Sequence, residues 1–224
     1  MATQPKPREV ARVPLSRERV IDAAIRIADE SGIESLTMRR LAQELGVEAM
    51  SLYYYVANKE EILNAIADVV VGEWELPAPG AEWKAAIRRT AISAHGILVR
   101  HRWAASLVLS GAGVSGARLR YMNSIMGSLR EAGFSADQTD HAYHALESHI
   151  MGFTLWEVGM NLGTAEELAA MATGFLEQLS VDEFPWVAEH VHQHLKPRNP
   201  KDEGSFAFGL DLILDGLERL RDGG

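Results

Sequence analysis

An all-α chain is the fold class this sequence predicts, and three observations predict it. Apolar residues recur at three- and four-residue steps in segment after segment, glycine and proline breakers separate those segments, and no alternating stretch of useful strand length interrupts them. There is no internal repeat. The expected architecture is a small N-terminal three-helix module with helix-turn-helix spacing, followed by a larger helical body. The division is a flexible basic arm over residues 1–15, the helix-turn-helix domain over 16–62 and the helical body over 63–224.

The elements follow in order. Residues 1–15, with Pro5, Pro7 and Pro14 and no periodicity, read as the arm. Ser16 is a good N-cap for a first helix, with Leu15 and Val20 placed as a hydrophobic staple. Val20, Ala24, Ile27 and Ala28 form its inner face, and Ser31-Gly32 stops it. Thr37 caps a second helix whose inner face is Met38, Leu41, Ala42 and Leu45, and Gly46 ends it. A third helix is expected over 49–55, and Asn58 caps a fourth carrying Ile62, Leu63, Ile66 and Val70 inward. After Pro77-Ala-Pro-Gly80 the pattern predicts helices over 83–100, 103–110, 117–132, 136–160, 165–179, 184–195 and 205–221. Breakers at Gly111 to Gly116, Gly133, Gly163 and Pro197 to Pro200 divide them.

Composition narrows the chemistry. The chain has 224 residues, no cysteine and a net charge of −9. Disulfides and thiolate metal sites are therefore out of reach. No apolar run reaches the ~18 residues of a membrane span, and the N-terminus lacks the apolar core of a signal peptide, so a reducing cytoplasm is the expected location. The acid excess is uneven. Residues 1–60 carry nine basic and nine acidic side chains, and residues 61–224 carry thirteen and twenty-two. A neutral module with a basic tip can neutralise phosphates locally even on an acidic body.

The segment "TMRRLAQELGVEAMSLYYYVANKEEIL", residues 37–63, carries the chemistry. A helix over 37–45, a turn at Gly46 and a short helix from 49 have helix-turn-helix spacing. Consecutive helical side chains stand ~100° apart, so Tyr53, Tyr54 and Tyr55 sweep ~200°, more than a buried stripe accommodates. Leu52 and Val56 pack inward, which leaves Met50 with Tyr54 and Ser51 with Tyr55 on the outer faces and Tyr53 at the flank. Such hydroxyls bond phosphates or base edges, and such rings pack on thymine methyls and sugars. Arg39 reaches a flanking phosphate, and Lys59 stands at a helix start, where the dipole also favours an anion. The competing reading, tyrosines filling a seam between module and body, does not explain the two-helix spacing or the basic flanks.

With these residues in view, 16–66 resembles the DNA-binding domain of the TetR (tetracycline repressor-like) family, through "RVIDAAIRIADESGIESLTMRRLAQELGV" and "LYYYVANKEEIL". A weaker similarity to the tetracycline repressor's own ligand-binding domain runs through "REAGFSADQ", "MGFTLW" and "FAFGLDLILDGLERL". The resemblance implies DNA contacts at Thr37, Arg39, Ala49, Met50, Ser51, Tyr53, Tyr54, Tyr55 and Lys59. Tyr55 departs from the family's usual histidine or phenylalanine. Glu48 departs from its small polar cap, and it is expected to point away from phosphate or to cap the helix.

The resemblance also places Thr90, Ala94, Val108, Ile125 and Gly152 where the tetracycline repressor has asparagine, phenylalanine, histidine, glutamine and histidine. With Val108 at the metal-binding histidine, this lining does not suit Mg²⁺, which prefers oxygen ligands. The expected effector is small and largely hydrophobic, with Met122, Phe153, Trp156 and Met160 as further walls and Thr90, His95 or Asn123 as polar contacts. For any one of these residues, plain helical core is the competing reading. His141 with His144, and His190 with His194, lie one turn apart, but a metal site needs three or more converging ligands, so no metal is assigned. No nucleophile–base pair, phosphate loop or paired-carboxylate signature appears, so neither an enzyme nor a cofactor is expected.

The expected function is that of a ligand-responsive repressor that binds a palindromic DNA operator as a homodimer, without a membrane partner. The face Phe206, Leu210, Ile213, Leu214, Leu217 and Leu220, with the helix around 136–160, is expected to build an intersubunit four-helix bundle, as the resemblance implies. Gly209 and Gly216, seven apart, are expected to permit close approach there. Two other readings stay open at this point: a helical small-molecule-binding protein or enzyme without an operator, and an activator of the same fold.

Overall fold

The computed structural model describes residues 14–110, 115–160, 165–196 and 203–223; of the side chains of Ala165 and His194 nothing is said. Nearly all of the expected basic arm, and the breakers at 111–114, 163 and 197–200, lie outside the described residues. Among the described residues every regular element is helical: α1 Arg17–Ser31, α2 Met38–Leu45, α3 Ala49–Leu52, α4 Lys59–Gly72, α5 Trp83–Arg100, α6 Ala104–Leu109, α7 Gly116–Glu131, α8 Ala136–Gly159, α9 Ala165–Gln178, α10 Pro185–His194 and α11 Gly204–Asp222. A single 3-10 turn at Ile33–Ser35, absent from the sequence reading, joins α1 to α2.

Side-chain caps set many of the boundaries. Ser16 accepts from the Arg19 N–H, Thr37 from Arg40 and Asn58 from Glu61. Ser135 and Gln138 form a reciprocal capping box at the start of α8. Gly46 closes α2 in the left-handed conformation, with φ +66°, where a Cβ would be strained. The third helix stops earlier than its periodicity suggests. It ends at Leu52, and Tyr53 to Tyr55 form a turn in which the Tyr55 and Val56 N–H groups both donate to the Leu52 carbonyl.

The chain forms two compact units that divide at Ile66/Ala67, inside α4 and four residues beyond the boundary expected from the sequence. In the first, α1 packs on α2 and α2 on α3 around Val20, Ala24, Ile27, Leu36, Leu41, Leu52, Val56, Ile62 and Ile66, all buried. In the second, α8 is the common neighbour of α5, α6, α7 and α11, while α9 and α10 pack on each other.

The structure corrects the expected dimer face. Phe206, Leu210, Leu214 and Leu217 are buried within the chain's own second unit, where α11 packs on α5 and α8. Ion pairs lock the same seam: Lys84 to Asp215 at 2.7 Å and to Glu218 at 2.6 Å, and Arg88 to Asp211 at 2.7 Å and to Glu203. Gly209 does serve close approach, but to α8 of the same chain: a Cβ there would stand 2.6 Å from Cε1 of His149. Beside Gly216, by contrast, a Cβ would meet only Arg219 of its own helix. The apolar side chains that α11 leaves exposed are Phe208 (68%), Leu212 (57%) and Leu220.

Because Leu210 and Leu214 are fully enclosed, Leu210→Ala is expected to lower unfolding free energy by about 2–5 kcal/mol. Leu214→Asp, a buried charge without a partner, is expected to abolish cooperative melting. Urea and thermal denaturation followed by circular dichroism check both.

Candidate functional site

The outward face of α3 and the turn after it is built from below. Leu52 and Val56 are buried, and the side chains opposite them are driven out: Met50 is 73% exposed and Tyr54 88%. Tyr53 is also exposed, while Tyr55, Ser51 and Ala49 are half-buried along the edges. Thr37, Arg39 and Lys59 are exposed, and neither Arg39 nor Lys59 makes an ion pair among the described residues. Their neighbours are occupied: Arg40 donates to Ser31 Oγ at 2.7 Å, and Arg26 faces Glu44 at 3.8 Å. Glu48 is exposed and its carboxylate makes no capping bond, so of the two placements expected for it the capping one is excluded.

Behind this face Glu61 fixes the turn that leads into α4. It accepts the Ala57 N–H at 2.5 Å and pairs with Arg17 at 3.2 Å. The backbone donor first and the arginine second hold its carboxyl below the usual carboxylate range. The result is a short apolar and aromatic ridge on a unit whose exposed Arg39 and Lys59 make no ion pair among the described residues, a composition that suits a DNA groove and its flanking phosphates.

The second unit divides the residues expected to line a ligand site. Thr90 and Ala94 on α5, Val108 on α6 and Ile125 on α7 are buried, and Met122 and Phe153 are half-buried. Gly152 and Trp156 (51% exposed) lie on the outer side of α8, as does Met160 after it, so they do not share an interior with Thr90. Thr90 Oγ1 donates to the Ala86 carbonyl of its own helix at 3.1 Å. Asn123 is exposed. Two open depressions, one lined by Arg130, Phe134, Gln138 and Arg221 and the other by Arg40, Gln43 and Glu44, include none of the expected residues.

Two polar clusters in this unit are not evident from sequence periodicity. In the first, His95 Nδ1 meets Thr154 Oγ1 at 2.9 Å and Nε2 meets Glu157 at 3.2 Å. Its ring stacks on Phe206 with centroids 3.9 Å apart, and His149 stacks on the same phenylalanine and bonds its carbonyl at 2.9 Å. Burial lowers the His95 pKa; Glu157 opposes that shift and His149 adds to it. In the second, the Tyr121 hydroxyl donates to Glu147 at 2.6 Å and Trp74 packs edge-on against the Tyr121 ring at 4.8 Å. Burial raises the Glu147 carboxyl and pushes the Tyr143 hydroxyl up to about 12, in the latter case helped by Glu147. Nothing in the sequence singles out Glu147, one of four acidic residues of α8, as part of this cluster.

The first of the two histidine pairs is occupied by carboxylates one turn back on the same helix. His141 faces Asp137 at 3.9 Å and His144 faces Asp140 at 3.6 Å, while the His194 side chain lies outside the described residues. Among the described residues no three potential metal ligands converge.

Comparison with known proteins gives two family matches. Residues 20–66 match the bacterial regulatory proteins of the tetR family, and residues 76–221 match the tetracyclin repressor-like C-terminal domain. The class D tetracycline repressor of Escherichia coli is 35% identical, over 91% of this chain and 89% of its own length. The Streptomyces coelicolor protein ActR, solved in complex with actinorhodin, superposes with a TM-score of 0.74 at 27% identity, covering 93% of this chain and 99% of ActR. BioQ, solved with its double-stranded DNA operator, superposes with a TM-score of 0.63 at 27% identity, over 91% and 98%.

His95 gives the site a signature in pH. Its folded pKa lies below the unfolded value of about 6.5, so its neutral form contributes stability that is complete above that value and lost as pH falls through the folded pKa. The melting temperature is expected to drop on acidification below pH 6.5, and His95→Gln is expected to flatten that drop in calorimetric scans.

Proposed function

The chain belongs to the TetR family of bacterial transcriptional regulators, and from that premise we propose that it is a repressor that binds a palindromic operator as a homodimer and leaves it when a small, largely hydrophobic effector binds. The family and its relatives make it a ligand-responsive DNA-binding regulator rather than an enzyme. The observation that carries the operator reading is the outward ridge of Met50 and Tyr54, with Tyr53 and Tyr55 beside it and Arg39 and Lys59 unpaired at its ends. In this reading Tyr54 and Met50 reach base edges, Thr37, Arg39 and Lys59 hold phosphates, and Ala49 and Ser51 allow the backbone to approach the groove. BioQ, similar over most of both chains, is known with an operator bound, which supports the assignment.

Homodimerisation is assigned to the same two helices that the sequence suggested, through other residues of α11. Phe208 and Leu212 on α11, with Gly152 and Trp156 on the outer side of α8, are apolar or small and exposed. Burial of such side chains favours association. Two subunits so joined present two recognition helices to successive half-sites. Leu212→Glu is expected to leave the helical content intact and to convert a dimer to a monomer in sedimentation velocity; a wild-type monomer at micromolar concentration would remove the dimer reading.

The effector reading rests on Thr90, Ala94, Val108 and Ile125, buried and apolar except for one hydroxyl that is bonded within its own helix. Apolar burial, at ~25 cal/mol per Å², is the affinity such a lining offers. With Val108 where the tetracycline repressor carries its metal-binding histidine, an Mg²⁺–drug chelate is disfavoured. Effector binding releases DNA by favouring a conformation with lower operator affinity.

The DNA reading is tested by two substitutions, with DNA from the gene's own promoter region as probe. Tyr54→Ala is expected to weaken specific binding by about 1–3 kcal/mol. Lys59→Ala is expected to weaken binding to all sequences and to flatten the salt dependence by about one unit of slope. Fluorescence anisotropy across a salt series reads both, and unchanged binding in both variants with the fold intact overturns the assignment.

A further inference from the structure

Trp74, between α4 and α5, is 4% exposed, and its indole Nε1 is enclosed without a hydrogen-bond partner among the described residues. A buried donor left unpaired is disfavoured, and native folds rarely keep one without a reason. Glu147, which accepts at 2.6 Å the hydroxyl of the Tyr121 ring that packs on Trp74, does not accept the indole N–H.

The position of Trp74 gives its unpaired N–H meaning. The next residue, Glu75, donates its N–H to Ser93 Oγ on α5 at 3.0 Å, and the Trp74 ring meets Tyr121 of α7 at 90°. Ser93 adjoins Ala94 in the chain, and Ile125 lies one helical turn beyond Tyr121 on the same side of α7. The indole therefore stands between α5 and α7, the helices that carry Thr90, Ala94 and Ile125 of the proposed effector lining. In that lining the Thr90 hydroxyl proton is already donated to Ala86.

We propose that Trp74 is the orienting and specificity-determining contact for the effector, donating its indole N–H to a neutral acceptor oxygen on a planar aromatic molecule, such as an aromatic ketone. This rests on the effector reading above. An indole N–H can only donate, so the partner must be an acceptor. The acceptor is neutral because the Glu147 carboxylate, bonded to the Tyr121 hydroxyl of the ring pair, opposes a second anion in an enclosed site. The aromatic skeleton is inferred from the Trp74–Tyr121 ring pair, since aromatic rings favour edge-to-face or offset contact with further rings.

The test uses the full-length protein with 9-fluorenone and xanthone as probes, each set against the compound in which CH2 replaces the carbonyl, fluorene and xanthene. Thermal shift and calorimetry are expected to show each ketone binding about tenfold tighter than its partner, with Trp74→Phe equalising each pair. In wild-type protein the Trp74 indole proton, assigned through its own backbone, is expected to move downfield on ketone addition, a reading that needs no variant. The proposal is overturned if neither ketone binds, if the ketones are no better than the CH2 compounds, if their preference survives Trp74→Phe, or if the indole signal stays in place because Tyr121's ring, a water or another part of the chain already holds the proton. All of these are read without DNA, so their failure leaves the operator experiments with Tyr54 and Lys59 to stand or fall separately.

Discussion

The second unit depends on how the circumference of α8 is shared. Four helices, α5, α6, α7 and α11, pack on it, and their demands consume Ala142, Leu146, Ile150, Met151 and Thr154. A helix has a limited arc for burial, so what remains points away: Ala145, Ser148, Gly152 and Trp156. The same rule governs α11. Its continuous stripe from Phe206 to Leu217 is used up by α5 and α8, at a separation that Gly209 makes possible by leaving room for the His149 ring. Only residues outside that stripe, Phe208, Leu212 and Leu220 among them, are left exposed.

Polar groups inside this unit follow an equally strict constraint. An enclosed donor or acceptor needs a partner. Thr90 and Thr154 bond carbonyls one turn back on their own helices, His95 is held between Thr154 and Glu157, and Tyr121 is held by Glu147. Against that background the indole N–H of Trp74, unpartnered among the described residues, is an exception. In the proposed reading, an enclosed donor left over selects a guest by the acceptor it brings as well as by its size.

At the other end of the chain, function comes from what a small core cannot bury. The inward anchors Leu52 and Val56, the left-handed turn at Gly46 and the Glu61 brace behind Ala57 fix the direction of α3 and the turn after it. Met50 and Tyr54 are exposed as a consequence, and the local charge balance around them is neutral with free cations at the edges, despite the −9 of the chain as a whole. Overall charge is a poor guide to a partner when the acid is concentrated in a different unit.

Local chemistry is what the sequence by itself determined. Caps at Ser16, Thr37 and Asn58, the stop at Gly46 and the three- and four-residue apolar steps are short-range signals, so helix boundaries came within one or two residues for most elements and the outward ridge at 50–55 was legible in outline. The early end of α3 was not legible, because periodicity continues through Tyr55 while the backbone turns at Leu52. Only the tertiary structure decided which partner each apolar stripe meets. Periodicity along α11 says that Phe206, Leu210, Leu214 and Leu217 share a face, but whether that face meets its own chain or another depends on helices more than fifty residues away in sequence. The same holds for the separation of Gly152 and Trp156 from Thr90, and for Trp74, whose unpaired N–H exists only because α4, α5 and α7 close around it. Hydrogen-bond satisfaction and burial are properties of assembled helices, and no single segment carries them.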